Sequence, residues 1–262
     1  MISSDFRTEA RRKLSGKWGK VACISLAYAL VFFVFGMIEG LFPESMKFIF
    51  SILTVVIEIP LTFGLIISYM KLYKDEDVKA FDFFTLGFSN FARSWKVSLH
   101  TLLKMIVPVI LVIFSSILIA VGSIGTFGAS FKASYVGISS FGTLAIVGFI
   151  LYIISIIWAI SKSYYYQLAF FVAIDNSDLT AKEAVEKSQE LMTGKRSNLF
   201  WLELSFIGWA ILAVFTLGIG YLWLTPYILI ATIAFYKFVS GNNSNVEAEV
   251  VTENNDNPIQ WE

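Results

Sequence analysis

The sequence predicts an all-α, polytopic membrane protein with six transmembrane helices and interfacial amphipathic helices on the cytoplasmic side. Three observations support this prediction. The chain of 262 residues is 56% hydrophobic and only 15% charged, whereas soluble domains contain about 25% charged residues. Its mean hydropathy is +0.70. The charged residues cluster between apolar runs, several of which reach the roughly 20 residues that a helix needs to cross a bilayer.

The apolar runs predict spans at residues 20–41, 46–70, 97–121, 141–163, 198–217 and 221–239. The turn between the last two spans is very short, so these helices must lie side by side. Gly36 and Gly40, in the first span, have the GxxxG spacing that lets one transmembrane helix approach another. Gly122 and Gly125 follow the third span, where we expect a flexible extracellular loop.

An amphipathic segment precedes each of three hairpins, and this pattern predicts three repeated units at 5–70, 78–163 and 180–239. The first segment places Phe6, Ala10, Leu14 and Trp18 on one face. Its basic side chains, among them Arg7 and Arg11, form the polar face that an interfacial helix requires.

The second amphipathic segment has an aromatic stripe, and the third begins with the capping-box spacing of Thr180 and Glu183. The first segment ends in Leu14-Ser15-Gly16-Lys17, and the third ends similarly in Met192-Thr193-Gly194-Lys195. An alternative is that amphipathic helices flank unrelated spans. We interpret residues 1–240 as one membrane domain and residues 241–262 as a disordered, acidic cytoplasmic tail.

The distribution of positive charge predicts the orientation. Of the 20 lysines and arginines, 17 lie before the first span, in alternate connections or after the last span. Only Lys47 and Lys132 lie in the opposite connections. Because basic residues are enriched in cytoplasmic loops, both termini are predicted in the cytoplasm of a cell-membrane protein.

Several motifs resemble those of the bacterial integral membrane family called domain of unknown function 975. They are Leu14-Ser15-Gly16-Lys17-Trp18-Gly19-Lys20, Pro60-Leu61-Thr62-Phe63-Gly64, Glu183-Ala184-Val185-Glu186-Lys187-Ser188, Leu204-Ser205-Phe206-Ile207-Gly208-Trp209, Thr216-Leu217-Gly218-Ile219-Gly220, Pro226-Tyr227 and Phe235-Tyr236. The resemblance extends over nearly the whole chain and implies a multi-span membrane fold. It implies no particular activity, because the family is defined without one.

The sequence contains no recognisable catalytic motif, so we expect a protein that is not an enzyme and needs no cofactor. One histidine and one cysteine do not suffice for a multi-histidine or multi-cysteine metal site, and no metal is predicted. A net charge of zero argues against nucleic acid as a partner. Membrane lipids, and other membrane proteins as a further option, are the expected partners.

A polar stripe in the second span is the first candidate site. Its members recur at helical spacing and are Ser51, Thr54, Glu58 and Thr62. A charge at mid-membrane is unfavourable by about 2.5–3.5 kcal/mol, so Glu58 is expected to face the bundle interior. Pro60 removes the hydrogen-bond partner of the Val56 carbonyl, and a broken helix beside polar groups is typical of transport sites. The alternative is a glutamate that only stabilises helix packing.

Lys104 and Glu203 form the second candidate, since both lie a short distance inside the cytoplasmic ends of their spans. An ion pair between them is one interpretation, and two unrelated side chains that reach the interface are the other. Two functions follow from these features. The favoured one is a non-enzymatic membrane protein that interacts with lipids or membrane proteins. The alternative is a small transporter or channel that uses the polar stripe around Glu58 and the Pro60 helix break.

Overall fold

The predicted fold class is confirmed by a computed structural model, which describes residues 3–131 and 135–241. No strand occurs among these residues. The helices are α1 (Ser3–Leu14), α2 (Trp18–Gly40), α3 (Glu44–Tyr73), α4 (Asp82–Ser89), α5 (Phe91–Phe131), α6 (Tyr135–Tyr166), α7 (Ala169–Asp175), α8 (Ala181–Met192), α9 (Arg196–Leu204), α10 (Ile207–Phe215) and α11 (Tyr221–Val239).

Six helical stretches are long and apolar enough to cross a membrane, as the sequence predicts. They are Trp18–Gly40, Glu44–Tyr73, Phe91–Gly128, Ser140–Asp175, Arg196–Phe215 and Tyr221–Val239. The third is longer than expected, because α5 continues through Gly122 and Gly125. The prediction of a loop at these glycines is therefore wrong. A Cβ on Gly122 would lie 2.5 Å from the backbone nitrogen of Ala145 on α6, so this glycine serves close helix packing.

Helix α1 packs on protein, and this differs from the expectation that it lies on the membrane surface. The side chains of Phe6, Ala10 and Leu14 are all buried. The ring of Phe6 makes edge-on contacts with Phe235 and Phe238 of α11, at centroid distances of 5.4 and 5.6 Å. The apolar face of α1 is therefore part of the protein core.

Each amphipathic helix packs on the second arm of the preceding hairpin. Helix α4 contacts α3, α8 contacts α6 and α7 and also α5, and α1 contacts α11. The last contact brings the first and final helices together and closes the three hairpins into a ring. We call α1, α4, α7 and α8 the basic layer, because most lysines and arginines lie in or beside these helices.

The turns after α1 and α8 have the same geometry. Gly16 and Gly194 adopt φ values of +72° and +77°, which favour glycine. The Lys17 amide donates to the Leu14 carbonyl at 2.9 Å, and the Lys195 amide donates to the Met192 carbonyl at 3.0 Å. This likeness concerns the first and third predicted units, and the three-fold repeat stays a prediction.

Ion pairs fasten α1 to the loop that follows α3. Lys13 donates to Asp75 at 2.9 Å, and Lys17 contacts the same carboxylate. Hydrogen bonds from Lys17 and Lys13 lower the pKa of Asp75 to about 2, so this carboxylate is ionised at neutral pH. Lys20 pairs with Asp77 in the same loop.

Packing is concentrated at the end of the bundle that holds the basic layer. No residue from Tyr28 through Ile59 is buried, although this range includes most of α2 and half of α3. A Cβ on Gly36 or Gly40 would meet no neighbouring atom within 4 Å, so the predicted GxxxG contact is not made among the described residues. Lys132, Met1 and the acidic tail from residue 242 lie outside the described residues.

Helices α3 and α4 touch through their backbones, and this contact predicts the effect of adding one methyl group to Gly64. A Cβ on Gly64 would lie 2.0 Å from the carbonyl oxygen of Phe83 and 2.5 Å from the amide nitrogen of Gly87. These neighbours are backbone atoms, which cannot move aside as a flexible side chain can. Gly64→Ala should therefore lower the free energy of unfolding by at least about 1–3 kcal/mol. Gly36→Ala is the control. An equal loss of thermal stability in both purified variants would contradict the prediction.

Candidate functional site

The polar stripe of α3 does not face the interior as a unit. Ser51 and Glu58 are exposed, and Thr54 is half-buried. The hydroxyl of Thr54 donates to the carbonyl of Phe50 at 2.9 Å, within its own helix. The prediction that Glu58 faces the bundle interior is therefore wrong for the single chain. The reason is that α2 and α3 bury no residue at this level, so no interior exists there.

The end of the stripe near Thr62 does contact other helices. The hydroxyls of Thr62 and Tyr28 are 2.9 Å apart and join α3 to α2. The buried Pro60 frees the Val56 carbonyl as predicted, and the indole nitrogen of Trp95 donates to that oxygen at 3.2 Å. The sequence identified the freed carbonyl but not its donor, because Trp95 lies on a different helix.

Lys104 and Glu203 have separate partners, and the predicted ion pair between them is not formed. The ammonium of Lys104 lies 3.7 Å from Glu186 on α8. Glu203 accepts hydrogen bonds from the phenol of Tyr164 at 2.7 Å and from the amide of Gln167. The physical reason is the position of α8, which packs against α5 and α6 and brings its own glutamate to the lysine.

A groove lies where the ring closes, between α1, α10 and α11, and has a volume of about 460 Å³. We call it the seam groove. Its size falls in the range of about 300–1,000 Å³ that is typical of ligand sites. Arg7 and Arg11 lie at its end in the basic layer, and no acidic residue lines it.

The body of the seam groove is apolar and open. Its walls are formed by Trp209 and Leu212 of α10 and by Trp223 and Leu224 of α11. Trp209 is 58% exposed and Trp223 is 43% exposed, so the groove opens to the surroundings of the spans rather than into a closed core. In a membrane those surroundings are lipid chains.

The far end of the groove is closed by the turn between α10 and α11. The amide of Gly220 donates to the hydroxyl of Thr216 at 2.8 Å. A Cβ on Gly220 would lie 2.8 Å from the Cα of Ala213, so the two arms touch there. The nine residues of α10 extend over about 13 Å of helix axis, and this helix forms one wall of the groove.

The basic end of the groove is held by Tyr227. Its hydroxyl donates to the Arg7 carbonyl at 3.3 Å, and its ring packs edge-on against Trp18 at 6.1 Å. It also accepts a side-chain hydrogen bond from Arg11 and interacts electrostatically with Arg7. The Nε of Arg7 is buried and has no hydrogen-bond partner. Such a donor is unfavourable unless something binds it.

The sequence comparison matches residues 1–243 to a family described as protein of unknown function (DUF975). The chain belongs to the DUF975 family. Neither the curated proteins nor the solved structures compared with it gave a match. The DUF975 assignment confirms the resemblance seen in the sequence motifs, and it leaves the activity to be argued from the site.

Sequence reasoning placed Arg7 and Arg11 on the polar face of α1 but missed the groove beside them. The contact between Tyr227 and Arg7 joins residues that are 220 positions apart, and no local pattern reveals such a pairing. The available signal was the four-residue spacing of the arginines, which places them on one face of α1. No cluster of three or more metal-ligating side chains occurs in the described ranges 3–131 and 135–241.

Proposed function

We propose that this DUF975 protein is a non-enzymatic membrane protein that binds membrane lipid in the seam groove. The observation that carries the proposal is the composition of the groove, which joins two arginines at one end to an apolar body along two spans. A lipid has the same arrangement of a polar headgroup and apolar chains. The exposure of Trp209 and Trp223 provides a lateral entrance from the bilayer.

We also propose that the protein lies in the cell membrane with both termini in the cytoplasm. The charge bias of 17 basic residues against two supports this orientation. It places Arg7 and Arg11 at the cytoplasmic headgroup level.

Other membrane proteins are further candidate partners, because the exposed halves of α2 and α3 offer apolar surface to either lipid or protein.

The lipid proposal is tested by removing the apolar walls of the groove. The double variant Trp209→Ala/Trp223→Ala should retain several-fold less lipid after purification in mild detergent, because each indole provides a large contact area. Mass spectrometry of bound lipid per protein measures this. The matched control is Trp158→Ala/Trp201→Ala, which removes two indoles that are 37% and 59% exposed and lie outside the groove. Equal lipid retention in the groove variant, the control and the wild type would refute the proposal.

The orientation is tested by cysteine labelling in a Cys23→Ser background. Ser45→Cys, in the first turn of α3, should react with a membrane-impermeant maleimide in intact cells. Ser177→Cys, beside α7 in the basic layer, should react only after permeabilisation. Both positions are exposed, so burial does not limit their reactivity. Labelling of position 177 in intact cells would reverse the proposed orientation.

A second candidate function, transport coupled to Glu58, is favoured by one observation. Glu58 is exposed on α3 close enough to Tyr28 of α2 for electrostatic interaction, so it lies between two spans. In proteoliposomes that contain a pH-sensitive dye, a transporter should carry protons or cations, and Glu58→Gln should abolish that flux while folding normally. A Gln variant with wild-type flux would exclude the coupled-transport function and leave Glu58 a packing role.

A further inference from the structure

We infer that the lipid in the seam groove is an anionic phospholipid whose phosphate binds Arg7 and Arg11, and that it fastens α1 to the ring. This inference rests on the proposed lipid-binding function and names its ligand class. Two guanidinium groups at one end of the groove, with no carboxylate among the lining residues, favour a net negative headgroup over a zwitterionic one.

The other arginines of the described chain bond protein oxygens, and Arg11 is one of them, through the hydroxyl of Tyr227. Arg12 pairs with Glu9 at 2.9 Å, and Arg196 donates to the hydroxyl of Ser161 at 2.9 Å. Arg93 donates to backbone carbonyls after α7, including that of Asn176 at 2.8 Å. Against this background, the Arg7 Nε is the buried side-chain donor that lacks a partner within the described residues.

Docking of the amphipathic helices does not itself require arginine at these positions. The matching turns align Lys17 with Lys195, which places Val185 and Gln189 of α8 at the positions of Arg7 and Arg11. Helix α8 nevertheless packs on its hairpin, with Val185 fully buried. The arginines are therefore a property of the seam and point to a ligand there.

The chemistry of guanidinium selects phosphate. Arginine stays charged at all physiological pH values and presents planar pairs of N–H donors that match two phosphate oxygens. Its less hydrated charge suits a partly buried site better than a lysine ammonium does. The headgroup would thus lie at the level of α1, and an acyl chain would lie between Trp209 and Trp223. A lipid held this way bridges α1, through its phosphate, to the fifth and sixth spans, through its acyl chain.

The test is native mass spectrometry of the full chain with equimolar phosphatidylglycerol and phosphatidylcholine of identical acyl chains. The wild type should bind phosphatidylglycerol in preference by about tenfold, because the choline cation of the competitor lies near the two arginines and offsets the attraction of its phosphate. Arg7→Gln/Arg11→Gln should reduce the preference to near one. Lys79→Gln/Lys182→Gln, which removes the same charge from exposed positions outside the groove, should retain it.

Hydrogen exchange gives a second readout that does not depend on the double variant being well folded. In wild-type protein in nanodiscs, adding phosphatidylglycerol should slow exchange across residues 3–14, and Arg11→Lys should weaken this response while keeping the charge. Equal binding of both lipids, or an unchanged preference in the Gln variant, would overturn the inference and leave the proposed function standing. Retention of neither lipid would overturn the proposed function itself.

Discussion

A hydrocarbon solvent removes most of the hydrophobic drive that packs the helices of a water-soluble bundle, because lipid chains are as apolar as leucine. This protein meets that constraint by concentrating its packing in the basic layer. Side chains such as Phe6 and Leu14 are fully buried there, and burial of each one from water contributes about 1.5–3 kcal/mol. The outer part of the first hairpin, in contrast, buries nothing from Tyr28 through Ile59. The three hairpins are held together mainly at their basic ends.

The closure of the three hairpins into a ring follows from the same concentration of packing in the basic layer. Helix α4 contacts α3 of the first hairpin and α5 of the second, whereas α1 contacts α11 and so joins the two ends of the chain. That link uses the Phe6 contacts with α11. The lysine pairs to Asp75 fasten α1 to the loop after α3. The closure also leaves a groove, because α10 touches α11 at Gly220 and Ala213 while α1 holds the other end at Tyr227. The seam is thus a product of how the ring closes.

The sequence predicts the spans well because hydropathy and length are local properties, and the six stretches agree with expectation apart from the length of α5. The sequence does not predict features that depend on packing between helices. Gly122 is a loop signal in isolation, yet α6 approaches it closely enough to require glycine within a helix. Lys104 pairs with Glu186 rather than Glu203 because α8 docks beside it. The sequence alone places Arg7 and Arg11 on the polar face of α1, and only the structure shows that α11 lies beside them.

The two candidate polar sites differ in what surrounds them, and this difference favours one of them. Glu58 is exposed on α3 at a level where neither α2 nor α3 buries a residue, so the described chain forms no enclosed site around it. Arg7 and Arg11 instead line a groove of about 460 Å³ whose walls include no acidic residue. The Arg7 Nε is moreover buried without a hydrogen bond. An anion in the groove would offset the charge of the arginine pair, and the seam groove is therefore the stronger candidate for the site of function.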